Sequence, residues 1–281
     1  MRPFVKWPGG KRIVYDQISR HFPDKNFETY IEPFAGAGGG LLGAIEDGRF
    51  QRFVGNDACA ELMNALKQSS YSPELLLGAI NELFWREGSE ARGFYYKTRE
   101  CFNLALGAET VEQAARFVYL NHRCFNGLYR TNKNGCFNVP FGSGKGAFDE
   151  QNFKAVAKEL RNVWFTVGDF ESVEHFVDAK TLVYVDPPYI PLNKEAPRLY
   201  GAEFNEEEQL RTARFCRRLL ESGATVIASN SDARNVGGSN EFLINAYEGF
   251  KVETIEAPRR IGAKADTRKT VTELLFIGVP G

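Results

Sequence analysis

Several things this 281-residue chain has little of narrow what it can be. It contains no apolar run of roughly 18 residues, the length a membrane-spanning helix requires. Pro3, Pro8, Gly9 and Gly10 interrupt the start of the chain, so neither a membrane span nor a secretory signal is expected, and the expected location is the cytoplasm, beside the nucleoid. Histidines number only three, and the five cysteines (Cys59, Cys101, Cys124, Cys136 and Cys216) form an odd set without a Cys-x-x-Cys pair. That pattern excludes a disulfide framework and offers no zinc-ligand spacing, so no metal is expected. Cys124 and Cys136 would face each other across a hairpin, but a cytoplasmic setting argues for reduced thiols.

Acidic residues are locally scarce. The net charge of −1 argues against a wholly basic nucleic-acid binder, yet from Gln113 through Phe148 there is no Asp or Glu, while Arg116, Arg123, Arg130, Lys133 and Lys145 supply positive charge. Between Pro258 and Thr272, Arg259, Arg260, Lys264, Arg268 and Lys269 face only Asp266, and the first fifteen residues hold Arg2, Lys6, Lys11 and Arg12 with no acid to oppose them. Three such stretches predict a face for a polyanion.

Short segments rich in β-branched and aromatic residues predict strands at Tyr30 to Phe34, Phe53 to Asn56, Val163 to Val167, Thr181 to Val185, Ala224 to Ala228, Val252 to Ala257 and Glu273 to Val279. Helical patterns at Leu41 to Asp47, Phe153 to Arg161, Glu206 to Glu221 and Ser239 to Glu248 alternate with them. The alternation predicts an α/β, mostly parallel sheet covered on both faces. One region departs from it: Ser72 to Asn121 reads as three helices and Asn126 to Pro140 as a hairpin turning at Asn132-Lys133-Asn134-Gly135. It reads as an insertion between the second and third strands.

Glu32-Pro33-Phe34-Ala35-Gly36-Ala37-Gly38-Gly39-Gly40 follows a strand and opens a helix, where glycines let backbone approach a nucleotide. Asp57 ends the next strand, about twenty residues on, placed to accept hydrogen bonds from ribose hydroxyls. Asp169, after the Val163 strand, offers a carboxylate near an adenine amino group. The set predicts a nucleoside-containing cofactor; NAD suits the glycines, but nothing resembles a hydride-transfer site. Lys6-Trp7-Pro8-Gly9-Gly10-Lys11 lacks phosphate-loop spacing and carries Arg12 where Ser or Thr would bind magnesium, which excludes nucleotide hydrolysis. Trp7 and Lys11 suit instead a cofactor with a carboxylate.

The strand Thr181 to Val185 ends in Asp186-Pro187-Pro188-Tyr189. An aromatic amine is a poor nucleophile until acceptors on its two N–H groups draw it toward a tetrahedral shape. Asp186 and the Pro187 carbonyl supply two acceptors. The prolines fix φ and remove competing N–H donors. The carboxylate also balances the positive charge that grows on nitrogen, and Tyr189 offers a flat face for a flipped base.

With these motifs, the chain resembles the Dam-type, D12 class DNA adenine-N6 methyltransferases. The resemblance runs from Phe4-Val5-Lys6-Trp7-Pro8-Gly9-Gly10-Lys11 through Asn56-Asp57, Asn126-Gly127-Leu128-Tyr129-Arg130, Phe137-Asn138-Val139-Pro140-Phe141-Gly142 and Asp186 to Tyr189, to Thr267-Arg268-Lys269 before Glu273-Leu274-Leu275. It implies a Rossmann-like seven-stranded methyltransferase sheet, with a cofactor and catalytic domain at 1–58 and 149–281 and a helical plus hairpin DNA-recognition insertion at 59–148. It implies that Trp7, Lys11, Glu32, Phe34, Gly36, Asp57, Asp169, Phe170 and Asp186 surround S-adenosylmethionine. It implies that Lys6, Asn126, Leu128, Arg130 and Pro140 meet double-stranded DNA, with Arg130 reading a guanine, and the basic C-terminal loop with Arg268 and Lys269 holding phosphates. GATC is the favoured target, although Ser143 and Gly144 stand where GATC readers often carry Arg-Tyr. A monomer without an obligate protein partner is expected. RNA or protein methylation, and DNA binding without catalysis, are the rival readings; the acid-free hairpin and the intact Asp186 tetrapeptide argue against them.

Overall fold

The computed structural model describes residues 1–142, 146–189, 204–258 and 270–281. Expectations for Ser143, Gly144, Lys145, the Pro191 to Gly201 segment, Arg259, Arg260, Lys264, Arg268 and Lys269 fall outside these residues.

Seven strands form one sheet: β1 (Thr29–Glu32), β2 (Arg52–Asp57), β3 (Val163–Val167), β4 (Thr181–Val185), β5 (Thr225–Ser231), β6 (Lys251–Pro258) and β7 (Thr270–Gly278). Their order is β3-β2-β1-β4-β5-β7-β6, with β1 to β5 mutually parallel and β7 antiparallel to both β5 and β6. This is a mixed α/β, Rossmann-like sheet. The chain runs outward from β1 to β3 and then crosses back to β4, so a crevice opens where β1 and β4 end.

The strands are legible because both sheet faces are covered. Tyr30, Leu182, Tyr184, Ile227, Leu275 and Ile277 join one core cluster. Their chain neighbours Ile31, Val183, Val185, Val226, Ala228, Leu274 and Phe276 join the other. Alternation of side chains along each strand assigns the two layers. The spans of β3 and β4 match the sequence expectation, and β1 stops at Glu32 because Pro33 has no N–H to continue the ladder.

Helices pack on both faces: α1 (Tyr15–Ser19), α2 (Gly39–Asp47), α3 (Ala60–Tyr71), α4 (Pro73–Glu87), α5 (Ala91–Leu104), α6 (Val111–Arg123), α7 (Glu150–Leu160), α8 (Glu206–Glu221) and α9 (Glu241–Ala246). The sequence reading omitted α3, whose N-cap Cys59 makes no side-chain cap and whose last turn carries Ser69 and Ser70. Both serines are buried, donating to the carbonyls of Leu66 and Leu160. No helix among the described residues is long and apolar enough to cross a membrane.

The expected hairpin after α6 needs correction. Among the described residues, the pairing here is two isolated antiparallel bridges, Cys124 to Phe141 and Thr131 to Phe137. Asn126 and Gly127 adopt left-handed backbone (φ 55° and 64°), and Pro140 lacks a donor. Backbone bonds from Asn132 N to Cys136 O at 2.9 Å and from Asn138 N to Arg130 O at 3.0 Å flank the second bridge, and Asn103 accepts from Phe137 N at 2.9 Å and donates to its carbonyl at 3.0 Å. Asn121 does the same for Lys6, at 2.8 and 2.9 Å. The turn at Asn132 to Gly135 forms as expected, closed by Gly135 N to Asn132 O at 3.0 Å. All five cysteines are free thiols.

Candidate active site

Asp186 leaves the sheet at the end of β4, whose five residues are all buried. Three donors converge on its Oδ1: Ser229 Oγ at 2.7 Å, Tyr189 Oη at 3.0 Å and Lys11 Nζ at 3.0 Å. Tyr184 fixes the first of these by donating to Ser229 Oγ at 2.9 Å. Among the described residues, Oδ2 receives no donor. One carboxylate oxygen is thus anchored to the protein. The two prolines that follow present carbonyls without N–H groups, and the Pro188 carbonyl is held by Gln209 Nε2 at 2.8 Å.

Lys11 is buried in a short 3₁₀ turn and lies between two carboxylates, 3.0 Å from Asp186 and 3.3 Å from Glu273. Burial alone would lower its pKa; the carboxylates of Asp186 and Glu273 outweigh that and hold it above the ordinary lysine value. The sequence reading directed Lys11 toward a cofactor carboxylate, whereas here it meets the protein's own. Tyr189 directs its hydroxyl to both acids, 3.0 Å from Asp186 and 3.1 Å from Glu273. Its ring centroid lies 4.9 Å from Lys11 Nζ.

Glu32, at the end of neighbouring β1, has a different state. Burial pushes its pKa up to about 8, against the hydrogen bond it accepts from Tyr30 at 2.9 Å, so it is mainly protonated at neutral pH. Its carboxyl also accepts from the Leu41 backbone at the start of α2.

The remaining nucleoside candidates line the ends of β1, β2 and β3. Asp57 accepts from Gly36 N at 3.0 Å and Cys59 N at 2.9 Å, and burial raises its pKa against those two bonds. Gly36 has φ 50°, and a Cβ there would come within 2.9 Å of the Trp7 indole, so glycine is required on both counts. Phe34 and Phe170 stack at 4.9 Å, with Phe204 edge-on to Phe34 at 5.8 Å. Asn56, fully buried, ties these turns together through Pro33 O and Gly168 O, each at 3.0 Å. Asp169 is less free than its sequence position suggests. Its carboxylate pairs with Arg211 at 2.6 Å and caps Glu171 N at 2.9 Å.

The basic face is smaller than the sequence count implies. Arg2 pairs with Asp149, Arg12 with Glu46, and Arg123 is buried against Glu87 at 2.6 Å. Lys6, Arg130 and Lys133 are exposed and form no ion pair among the described residues. Arg130 and Lys133 belong to the segment after α6, and Lys6 packs beside it. Gly127 lies against Lys6, where a Cβ would approach within 2.6 Å, and Phe125 N donates to Pro140 O at 3.0 Å. Asn126 and Pro140 are exposed, Leu128 is half-buried, and Phe125 is 53% exposed. Arg130 Nε donates to Asn138 Oδ1 at 2.8 Å. Behind them Tyr129 packs on Trp7 at 5.9 Å, which links the segment to Gly36 and the crevice.

The sequence reading singled out neither Ser229, Gln209 and Asn230 nor the contact between Glu273 and Lys11. Each lies well away from its partner along the chain, and sheet pairing and the packing of α8 bring them together.

The sheet order, and the acid and two prolines at its switch point, define a methyltransferase-type α/β enzyme. Residues 7–261 match the family described as D12 class N6 adenine-specific DNA methyltransferase. The chain belongs to that family and is an adenine-specific DNA methyltransferase. It is 38% identical over 291 residues to the Type II methyltransferase M.MjaIII of Methanocaldococcus jannaschii, covering 99% of each chain. It is 33% identical over 283 residues to the DNA adenine methylase of Escherichia coli, covering 100% of this chain and 96% of that one. With the DNA adenine methylase of Haemophilus influenzae it shares 31% identity over 280 residues, covering 98% and 93%.

Proposed function

We propose that the protein transfers the methyl group of S-adenosylmethionine to adenine N6 within GATC in double-stranded DNA, with the target base flipped from the helix. The observation that carries the reading is the division of labour within Asp186: Oδ1 takes three protein donors, and Oδ2 takes none among the described residues. A carboxylate held rigidly by one oxygen presents the other to an incoming N–H.

The crevice suits the proposed cofactor. Phe34 and Phe170 offer aromatic faces, Asp57 keeps lone pairs for ribose hydroxyls, and Gly36 lets backbone approach. When bound, S-adenosylmethionine supplies an electrophilic methyl carbon on a sulfonium. Trp7, Glu32, Asp169 and Phe170 complete the wall around it in this reading. Asp186 Oδ2 and the Pro187 carbonyl accept the two amino protons of adenine, which localises the nitrogen lone pair. The Asp186 charge then offsets the positive charge developing on that nitrogen. Tyr189 and Pro188 border the base.

Residues 59–148 form the recognition insertion, and 1–58 with 149–281 the catalytic domain. Lys6, Asn126, Leu128, Arg130 and Pro140 face the duplex, with Arg130 on a guanine edge. Lys133 joins them at the phosphates, together with Arg268 and Lys269. The protein acts as a monomer.

Sequencing of modified bases in DNA from cells expressing the chain tests the reading. N6-methyladenine confined to GATC is expected; methylation in another sequence overturns the GATC assignment.

A further inference from the structure

We propose that Glu273 is a positioning residue for methyl transfer: it shares the charge of Lys11, so that Asp186 keeps its negative charge for the target amino group. The inference rests on the reading of Asp186 as the amino-group acceptor.

The charges around Asp186 frame the idea. Lys11 touches two carboxylates, Asp186 at 3.0 Å and Glu273 at 3.3 Å. An ammonium paired with Asp186 alone would cancel the charge that the reaction needs. With Glu273 beside it, one positive and two negative groups leave the cluster at −1. Glu32 adds no full charge at neutral pH, because burial holds its pKa near about 8. The surplus negative charge matches the positive charge that accompanies the transferring methyl.

Geometry makes Glu273 a poor candidate for a mere filler. It projects from β7, opposite Ser231 of β5 and Ile255 of β6, into a site otherwise built at the ends of parallel strands. Its side chain is 15% exposed. Its Oε2 meets both Lys11 Nζ and Tyr189 Oη, the two groups that also hold Asp186 Oδ1. Four side chains from three parts of the chain therefore form a closed ring: Asp186, Lys11, Glu273 and Tyr189. Burial raises the Glu273 pKa, and Lys11 opposes that rise. An acid kept in so costly a position, with only Lys11 and Tyr189 as partners among the described residues, acts through its charge.

Glu273→Gln keeps the shape and an acceptor oxygen but removes the charge, while Glu273→Asp keeps the charge. The test measures kcat and KM on duplex DNA, thermal midpoint, and calorimetric affinity for S-adenosylmethionine and its neutral product S-adenosylhomocysteine, with Asp186→Asn in parallel. Glu273→Gln is expected to lose kcat on the order of 10- to 100-fold, the scale of one preorganised electrostatic group. KM for duplex and the thermal midpoint should stay as in the parent. Its preference for the sulfonium over the neutral thioether should shrink, and Glu273→Asp should recover most of the rate. A parent-like rate and preference in Glu273→Gln overturns the inference. Equal losses in both Glu273 variants, with a lowered midpoint, also overturn it by assigning Glu273 to packing. If Asp186→Asn is fully active, the reading of Asp186 itself fails, which separates that failure from failure at Glu273 alone.

Discussion

Gln209 donates a 2.8 Å hydrogen bond to the Pro188 carbonyl, and its own side-chain oxygen accepts one of 2.8 Å from Asn230. Gln209 and Asn230 are buried, so the turn after β4 is pinned from α8 and β5 at once. Gln209→Ala strands the Asn230 amide and the Pro188 carbonyl. Each unsatisfied buried group costs about 1–3 kcal/mol. Urea unfolding should show a loss in that range, and kcat should fall by more than duplex KM rises, because the turn carries the acceptors.

Arg130 is tied to Asn138 twice, by Nε to Oδ1 at 2.8 Å and by its carbonyl accepting from Asn138 N at 3.0 Å. Using Nε internally leaves both terminal nitrogens of the guanidinium for a base edge. Arg130→Ala should cost about 1–3 kcal/mol of discrimination at one base pair. Asn138→Ala should relax the same position by less. Competition with singly substituted duplexes checks both, and a uniform loss across all sequences would mark Arg130 as a phosphate contact.

Two glycines in helices should respond to alanine with opposite signs. Gly78, exposed in α4 with open space at its Cβ position, should gain about 0.5–1 kcal/mol. Gly40, near the start of α2, would place its Cβ on Glu32 Oε1, and Glu32 is buried and held by Tyr30. Gly40→Ala should lose about 1–3 kcal/mol as an overpacked site. Thermal unfolding of the two variants compares them directly.

His122 gives a pH signature. Burial lowers its pKa from 6.5 to about 4, opposed by the hydrogen bond to the Phe4 carbonyl. The unfolded chain therefore binds the proton more readily. The stability contributed by neutral His122 is present above the unfolded value near 6.5 and is lost as pH falls toward 4. His122→Gln, which can keep a donor toward Phe4, should flatten unfolding free energy between pH 6.5 and 4 relative to the parent chain.

What the sequence made legible follows from range. The buried strands Thr181–Val185 and Val163–Val167 and the helix Glu206–Glu221 could be bounded because their patterns and turn residues are local. Asp186 and Asp57 were legible as strand-end acids. Glu273 was read as part of a strand and of a family motif, but its meeting with Lys11, 262 positions away by 273 minus 11, depends on β7 entering antiparallel beside β5. Ser229 meets Asp186 through the parallel pairing of β4 with β5, and Gln209 meets the Pro188 carbonyl through the packing of α8, neither of which is local in sequence. The basic face was overcounted because charge runs do not show that Arg123 turns inward to Glu87 or that Arg2 and Arg12 find acids elsewhere. The hairpin is shorter than the Asn126 to Pro140 pattern suggests: pairing forms around the Asn132 turn, while Asn126 and Gly127 take left-handed backbone and Pro140 lacks a donor.

Asp186 is the centre of the account, and Asp186→Ala is its most direct test. Parent and variant are incubated in single turnover with radiolabelled S-adenosylmethionine and a GATC duplex, and the nucleosides are then separated. The account predicts labelled N6-methyladenine from the parent and at least about 100-fold less from the variant, with the variant still folded by circular dichroism at the assay temperature. Labelled N6-methyladenine forming at a parent-like rate in Asp186→Ala would contradict it.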